Sequence, residues 1–188
     1  MILETTLTER FLALIKDTEA PILPYLQTVD PTIQQLHGLC GHPLPIVNTL
    51  MGMNNPQSYQ YLKYPLIAVF EDIVERGVVG DVRSITPRIV IVNQTTAEYT
   101  RKERDDKNFK PILIPIYNEF MRQLRRNRYF RWDYKKPGDK TMRPFWGKEG
   151  LYGSEGNIAG DALDCIELRI ELIPHRAPTC APAFKRNF

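Results

Sequence analysis

Apolar positions recur along this chain with two different periods, and the switches between them outline the fold. From Pro111 to Leu124, residues Ile112, Leu113, Ile116, Tyr117, Phe120, Met121 and Leu124 return every three or four positions, which places them along one side of a helix. Asn118, Glu119, Arg122 and Gln123 take the other side. Pro111 and Pro115 fit a helix that begins near 111 or 112, because the first turn has no intrahelical use for the N–H that proline lacks. Near the N-terminus, Thr6 and Glu9 have the spacing of a capping box. Leu7, Phe11, Leu14, Ile15 and Thr18 then share a face, predicting a helix of about three turns that Pro21 and Pro24 end.

Strand patterns occupy the intervening stretches. Tyr64 to Phe70 is a short apolar run with Pro65 confined to its start, and Glu71 to Gly80 leads away from it toward a turn marked by Gly77 and Gly80. Arg88 to Val92 is densely β-branched, as expected of a central strand buried on both faces. Leu163 to Ile173 alternates: Ile166, Leu168, Ile170 and Leu172 point one way, while Glu167, Arg169 and Glu171 point to a wet face.

Between these elements the pattern weakens. Prolines and glycines from Pro31 to Gly52 predict an irregular connection over 25–55 with a short helix at 46–51. Glu98 to Asn108 is charged enough to read as a solvated connection, with Thr95 and Thr96 as candidate caps. Residues 133–160 read as a long glycine-rich loop, of a length that is usually functional or mobile, and 174–188 as an extended tail. The sum is an α+β domain over 1–173: a mixed β-sheet packed on one face by helices, with long irregular loops and an extended terminal arm. Its expected core is Phe11, Ile67, Val69, Val90, Val92, Ile112, Ile116, Phe120, Leu124, Ile166, Leu168 and Ile170.

Composition changes this picture little. The chain has 188 residues, 43% of them hydrophobic and 25% charged, enough for one well-buried domain. A net charge of +3 is too small to imply nucleic-acid binding, so that reading must rest on local clusters. Fifteen prolines suggest pinned connections. Cys40, Cys165 and Cys180 are odd in number and widely spaced, which argues against a disulfide framework and for a reducing cytoplasm. No apolar run is long enough to cross a bilayer.

Three groups of residues could carry chemistry. His37, Cys40 and His42 lie within six positions, with His175 and Cys180 as a looser pair, but their spacing matches no strong zinc signature and the flanking glycines read as a turn. Asp161, Asp164, Glu167 and Glu171 could hold divalent ions in a metal-dependent nuclease, although carboxylates on a wet strand face are ordinarily just solvated. From Arg122 to Lys136, seven cations face the single acid Asp133. Here Arg122, Arg125, Arg126, Arg128 and Arg131 interleave with Tyr129, Phe130 and Trp132. Such a cluster suits a protein contact at least as well as DNA phosphates, and it also complements the negative end of the preceding helix. Phosphate-binding loops and nucleophile elbows are absent from the sequence, so no catalytic residue and no cofactor are assigned.

Taken together, Lys63-Tyr64-Pro65-Leu66-Ile67, the Ile89-Val90-Ile91-Val92 run ending in threonines, the charged stretch into Phe109 to Tyr117, and Asp161-Ala162-Leu163-Asp164-Cys165-Ile166-Glu167-Leu168 resemble tailed-phage neck proteins, the tail terminators most of all. The resemblance spans roughly residues 43 to 173 and rests on element order and short apolar phrases. It implies a virion protein made in the host cytoplasm. Such a protein assembles with itself into a ring, a hexamer first and a dodecamer as the alternative, between the connector and the tail-tube proteins. Genomic DNA passes through its lumen, and no membrane is involved. The competing classes are a nucleic-acid-binding accessory protein using residues 122–136, and a metal-dependent nuclease.

Overall fold

A computed structural model describes residues 6–53, 62–78, 81–133, 138–146 and 161–175; for residues 43, 47, 51, 71–78, 81–83, 145 and 146 it describes the backbone alone. The first helix, α1 (Leu7–Val29), opens on the expected capping box, with Glu9 N–H donating to Thr6 Oγ1 at 3.2 Å and Thr6 N–H donating to Glu9 Oε2 at 2.7 Å. It does not end at the prolines. Pro21 and Pro24 lie inside it on the exposed side, where water can take the carbonyls they leave unpaired, while the buried stripe continues through Ile22 and Leu26. The two prolines cost about 3 kcal/mol each, and burial of Ile22 and Leu26 at about 1.5–3 kcal/mol each offsets much of that.

Within the stretch read as an irregular connection, the short helix expected at 46–51 is present and longer, as α2 (Pro43–Gly52), and an unexpected strand, β1 (His37–Gly41), precedes it. Proline is tolerated in the first turn of a helix, so the residues that looked like breakers start one. β1 pairs in parallel with β2 (Leu66–Val78), from His37 opposite Leu66 to Gly41 opposite Phe70. Gly38 is needed there, because a Cβ at that position would stand 2.9 Å from Ile15 Cγ2 of α1. β2 turns back into β3 (Asp81–Gln94), which is central as expected, with Ile89, Val90, Ile91 and Val92 fully buried.

A second capping box, Thr100 with Glu103, starts a helical run where a solvated connection was expected. It comprises α3 (Arg101–Arg104), a wider π-helical stretch (Asp105–Leu113) and α4 (Ile114–Arg126). Pro111 falls in the wide stretch, where the Ile114 N–H reaches back five residues to the Phe109 carbonyl. The expected apolar face is buried apart from half-buried Tyr117, and so is Glu119 from the supposed polar face, which pairs with Arg122 and accepts from Gln123 Nε2 at 2.6 Å.

β4 (Phe130–Trp132) and β7 (Leu172–Pro174) form a short ribbon that joins the sheet where Leu172 pairs with Ile85. β5 (Asp139–Trp146) crosses the stretch read as a glycine-rich loop, and β6 (Leu163–Arg169) lies between it and β3. The main path of the sheet is therefore β1-β2-β3-β6-β5, mixed through its one parallel pair. β5 is an exposed edge without apolar alternation, which is why its pattern was silent. Residues 134–137 and 147–160, and all but the beginning of the 174–188 tail, lie outside the described residues.

The fold is α+β, with α1 and α4 on one face of the mixed sheet. α2 covers part of the other face, through Ile46 and Leu50 against Leu66, Ala68, Val90, Val92, Leu163 and Cys165. All twelve expected core residues are buried, with Val90 and Val92 on the α2 side. Among the described residues, no helix is long and apolar enough to cross a membrane.

Candidate functional surfaces

The basic, aromatic segment divides at its middle. Asn127 ends α4, its Oδ1 accepting from the backbone N–H groups of Tyr129 and Phe130, both at 2.7 Å. This turn drives Phe130 inward, where it stacks on Phe11 with ring centroids 4.5 Å apart, so Phe130 is core and not a contact residue. Arg125, Arg126, Arg128 and Arg131 remain exposed at this end of the molecule. Arg125 lies over the Trp132 ring and Arg128 over the Tyr129 ring, while Arg122 is held by Glu119. Tyr129 and Trp132 are half-buried, which leaves the arginines as the outward face.

Of the carboxylates considered as metal ligands, Asp161, Asp164 and Glu167 are each met by cations. Asp161 pairs with Lys63 and accepts from the Tyr64 hydroxyl at 3.1 Å; burial, and then the Asp161 charge, push the Tyr64 phenol well above its ordinary value. Asp164 is fully buried, accepting from Arg104 Nη1 and from Asn108 Nδ2, each at 2.9 Å. Arg104, itself 1% exposed, also donates to Thr95 Oγ1 and to the carbonyls of Thr96 and Tyr99. The guanidinium thus pins α3 to β6 and to the end of β3.

Glu167 is not on a wet face. It is 6% exposed and lies beneath three arginines, with Arg88 Nε 3.1 Å and Arg169 Nε 3.5 Å from its Oε1, and Arg143 Nε 3.0 Å from its Oε2. The Arg143 approach is close but not aligned as a hydrogen bond. Alternation misled here because β6 has neighbours on both sides and is covered on both faces from Leu163 to Leu168.

His37 and Cys40 lie half-buried in β1, a strand rather than the expected turn. Burial holds the His37 imidazole below its ordinary pKa, against a backbone hydrogen bond with Lys63 that works the other way. His42 is exposed and its Nδ1 accepts from the Leu44 N–H at 3.3 Å, at the start of α2. Exposed His175 holds Arg10 through its carbonyl at 2.7 Å, and Cys180 lies outside the described residues. Among the described residues, no group of three His, Cys, Asp or Glu side chains is placed to hold a metal ion.

Sequence reasoning missed one concavity, a cleft of about 360 Å³ at the end of β3, lined by Asp30, Tyr64, Asn93, Tyr99, Lys107 and Asn108 among others. Its polar residues come from separate elements, so no local motif announces it. Compared with known protein families and with curated proteins, the sequence matches none.

Proposed function

We propose that this chain is an assembly protein of a tailed-phage virion, a neck or tail-terminator subunit that closes a ring of its own copies between connector and tail and lets the genome through. The observation that supports this reading is the β2–β3 ribbon. β1 pairs with β2 only as far as Phe70, and β6 pairs with β3 only as far as Arg88, yet β2 and β3 continue together to Val78 opposite Asp81. Beyond the single β7 contact at Ile85, no described strand flanks that extension.

A two-stranded ribbon is marginal in water by itself, so an arm of this kind gains stability from a partner surface. Edge strands β1 and β5, at opposite margins of the sheet, suit the head-to-tail contacts from which rings close. Mass photometry and negative-stain imaging of the purified protein test the reading. Closed rings are expected, and replacement of residues 75–84 by an Asn-Gly turn is expected to leave a folded protein that no longer closes them. A wild-type monomer that persists at high concentration overturns it.

A second reading, a nucleic-acid-binding accessory protein, is favoured by the exposed Arg125, Arg126, Arg128 and Arg131 at one end of the molecule. Charge reversal of Arg125 and Arg126 separates the two. DNA binding and its salt dependence collapse under the second reading, whereas rings persist under the first.

A further inference from the structure

The sheet face that α2 leaves uncovered carries an arrangement that neither reading uses. Opposite residues on neighbouring strands share a face, so Arg88 on β3, Arg169 and Glu167 on β6, and Arg143 on β5 lie together, over three adjacent strands. All three arginines approach the buried Glu167 carboxylate through Nε. Contact at that nitrogen leaves the paired Nη groups at the far edge of each guanidinium, and those groups make no hydrogen bond among the described residues. The Arg88 guanidinium carbon also lies over the Phe70 ring, 5.3 Å from its centroid. The Arg143 and Arg169 side chains are 53% and 56% exposed.

Glu167 therefore acts as a buried post that orients the Arg143 and Arg169 forks outward, with Arg88, 16% exposed, packed behind them. Asp139, opposite Arg169, is a further acid on this face, and it forms no ion pair among the described residues.

We infer that this face binds the phosphate backbone of a nucleic acid through the outward edges of Arg143 and Arg169, with the Arg88 charge behind them. The planar guanidinium fork matches a phosphate in a two-pronged way that an ammonium cannot. Arg143 and Arg169 lie on adjacent strands, four register positions apart on either side of Glu167, which suits neighbouring phosphates better than a single ion. A protein partner is the poorer fit. Phe70 and Tyr64, aromatic rings described on this face, are buried, whereas the centres of protein interfaces are anchored by accessible aromatic side chains. The inference does not depend on ring formation.

Fluorescence anisotropy with a labelled DNA duplex of about 20 base pairs, titrated across a range of salt, tests it. The Arg143→Ala/Arg169→Ala double variant is expected to weaken binding by about tenfold at low salt, and to reduce the slope of log K against log salt by about two. Arg125→Ala/Arg126→Ala serves as the control and is expected to change the slope less. Glu167→Gln distinguishes oriented forks from bulk charge. Loss of the post weakens binding although the protein becomes more positive, whereas simple attraction predicts tighter binding.

Unchanged affinity in the double variant, tighter binding in Glu167→Gln, or no duplex binding by the wild type at low salt each overturns the inference. So does polyglutamate competing as well as DNA, which would assign the face to an acidic protein. Thermal melts verify that each variant folds, and mass photometry of the same samples keeps failure of the ring reading separate from failure of this one.

Discussion

Among single residues, Asp164 and Arg104 show most clearly how much of the interior is polar by design. Arg104 is buried with its donors distributed over a carboxylate, a hydroxyl and backbone carbonyls, so it is tolerated only as a complete set. Removing one partner strands a buried charge. Asp164→Ala is expected to destabilise the protein by about 3–5 kcal/mol in denaturant titration. The same variant bears on the nuclease reading, because a magnesium-dependent activity lost without loss of stability would restore the carboxylates as catalytic.

His37 offers a pH-dependent counterpart. Its folded pKa lies below the ordinary 6.5, with burial as the leading cause, so the unfolded chain takes up a proton that the folded chain refuses as pH falls through that value. Stability therefore falls with acidification below about pH 6.5, and His37→Gln is expected to flatten that slope in melts between about pH 7 and pH 5. Burial also raises the Cys165 thiol well above its ordinary value, with Glu167 adding to the effect. In the native protein Cys165 should stay unmodified by an alkylating reagent that labels it once the chain is unfolded, as peptide mass spectrometry can check.

At the scale of elements, local signals succeeded where one interaction within a few residues decides the outcome. The Thr6–Glu9 box was legible because both partners lie in one turn. The Thr100–Glu103 box is of the same kind, yet it was passed over because the charges around it resembled a solvated loop; burial of Arg104, Asn108 and Phe109 overrides that composition. Thr100→Ala is expected to cost about 1 kcal/mol, readable as a shift of the denaturation midpoint with unchanged slope. Gly38 marks the opposite situation. Its role is to let Ile15 of α1 approach β1, a contact between elements that the glycine's neighbours in sequence do not reveal.

For the whole molecule, the long β2–β3 ribbon is the feature with the largest consequence. Since the described strands of the sheet flank only its base, amide exchange is expected to be fast over 74–78 and 81–84 in the free subunit and slow once copies assemble. Hydrogen–deuterium exchange on fractions below and above the assembly concentration measures this directly. Equal exchange in both fractions would remove the ribbon from any role in assembly.

What the sequence by itself determined is the hydrophobic skeleton: all twelve expected core residues are buried, the central strand is in its place, and the class is α+β. Those properties follow from burial, which a periodic pattern records locally. Only the tertiary structure decided where the polar residues went. Glu167 became the post for three arginines contributed by three strands, Asp164 the anchor of a buried guanidinium, and Phe130 part of the core rather than of the surface around it. A charged side chain has the same letter whether it is solvated or paired. The partner that decides between the two lies in another element, as with Arg88 and Glu167, 79 positions apart.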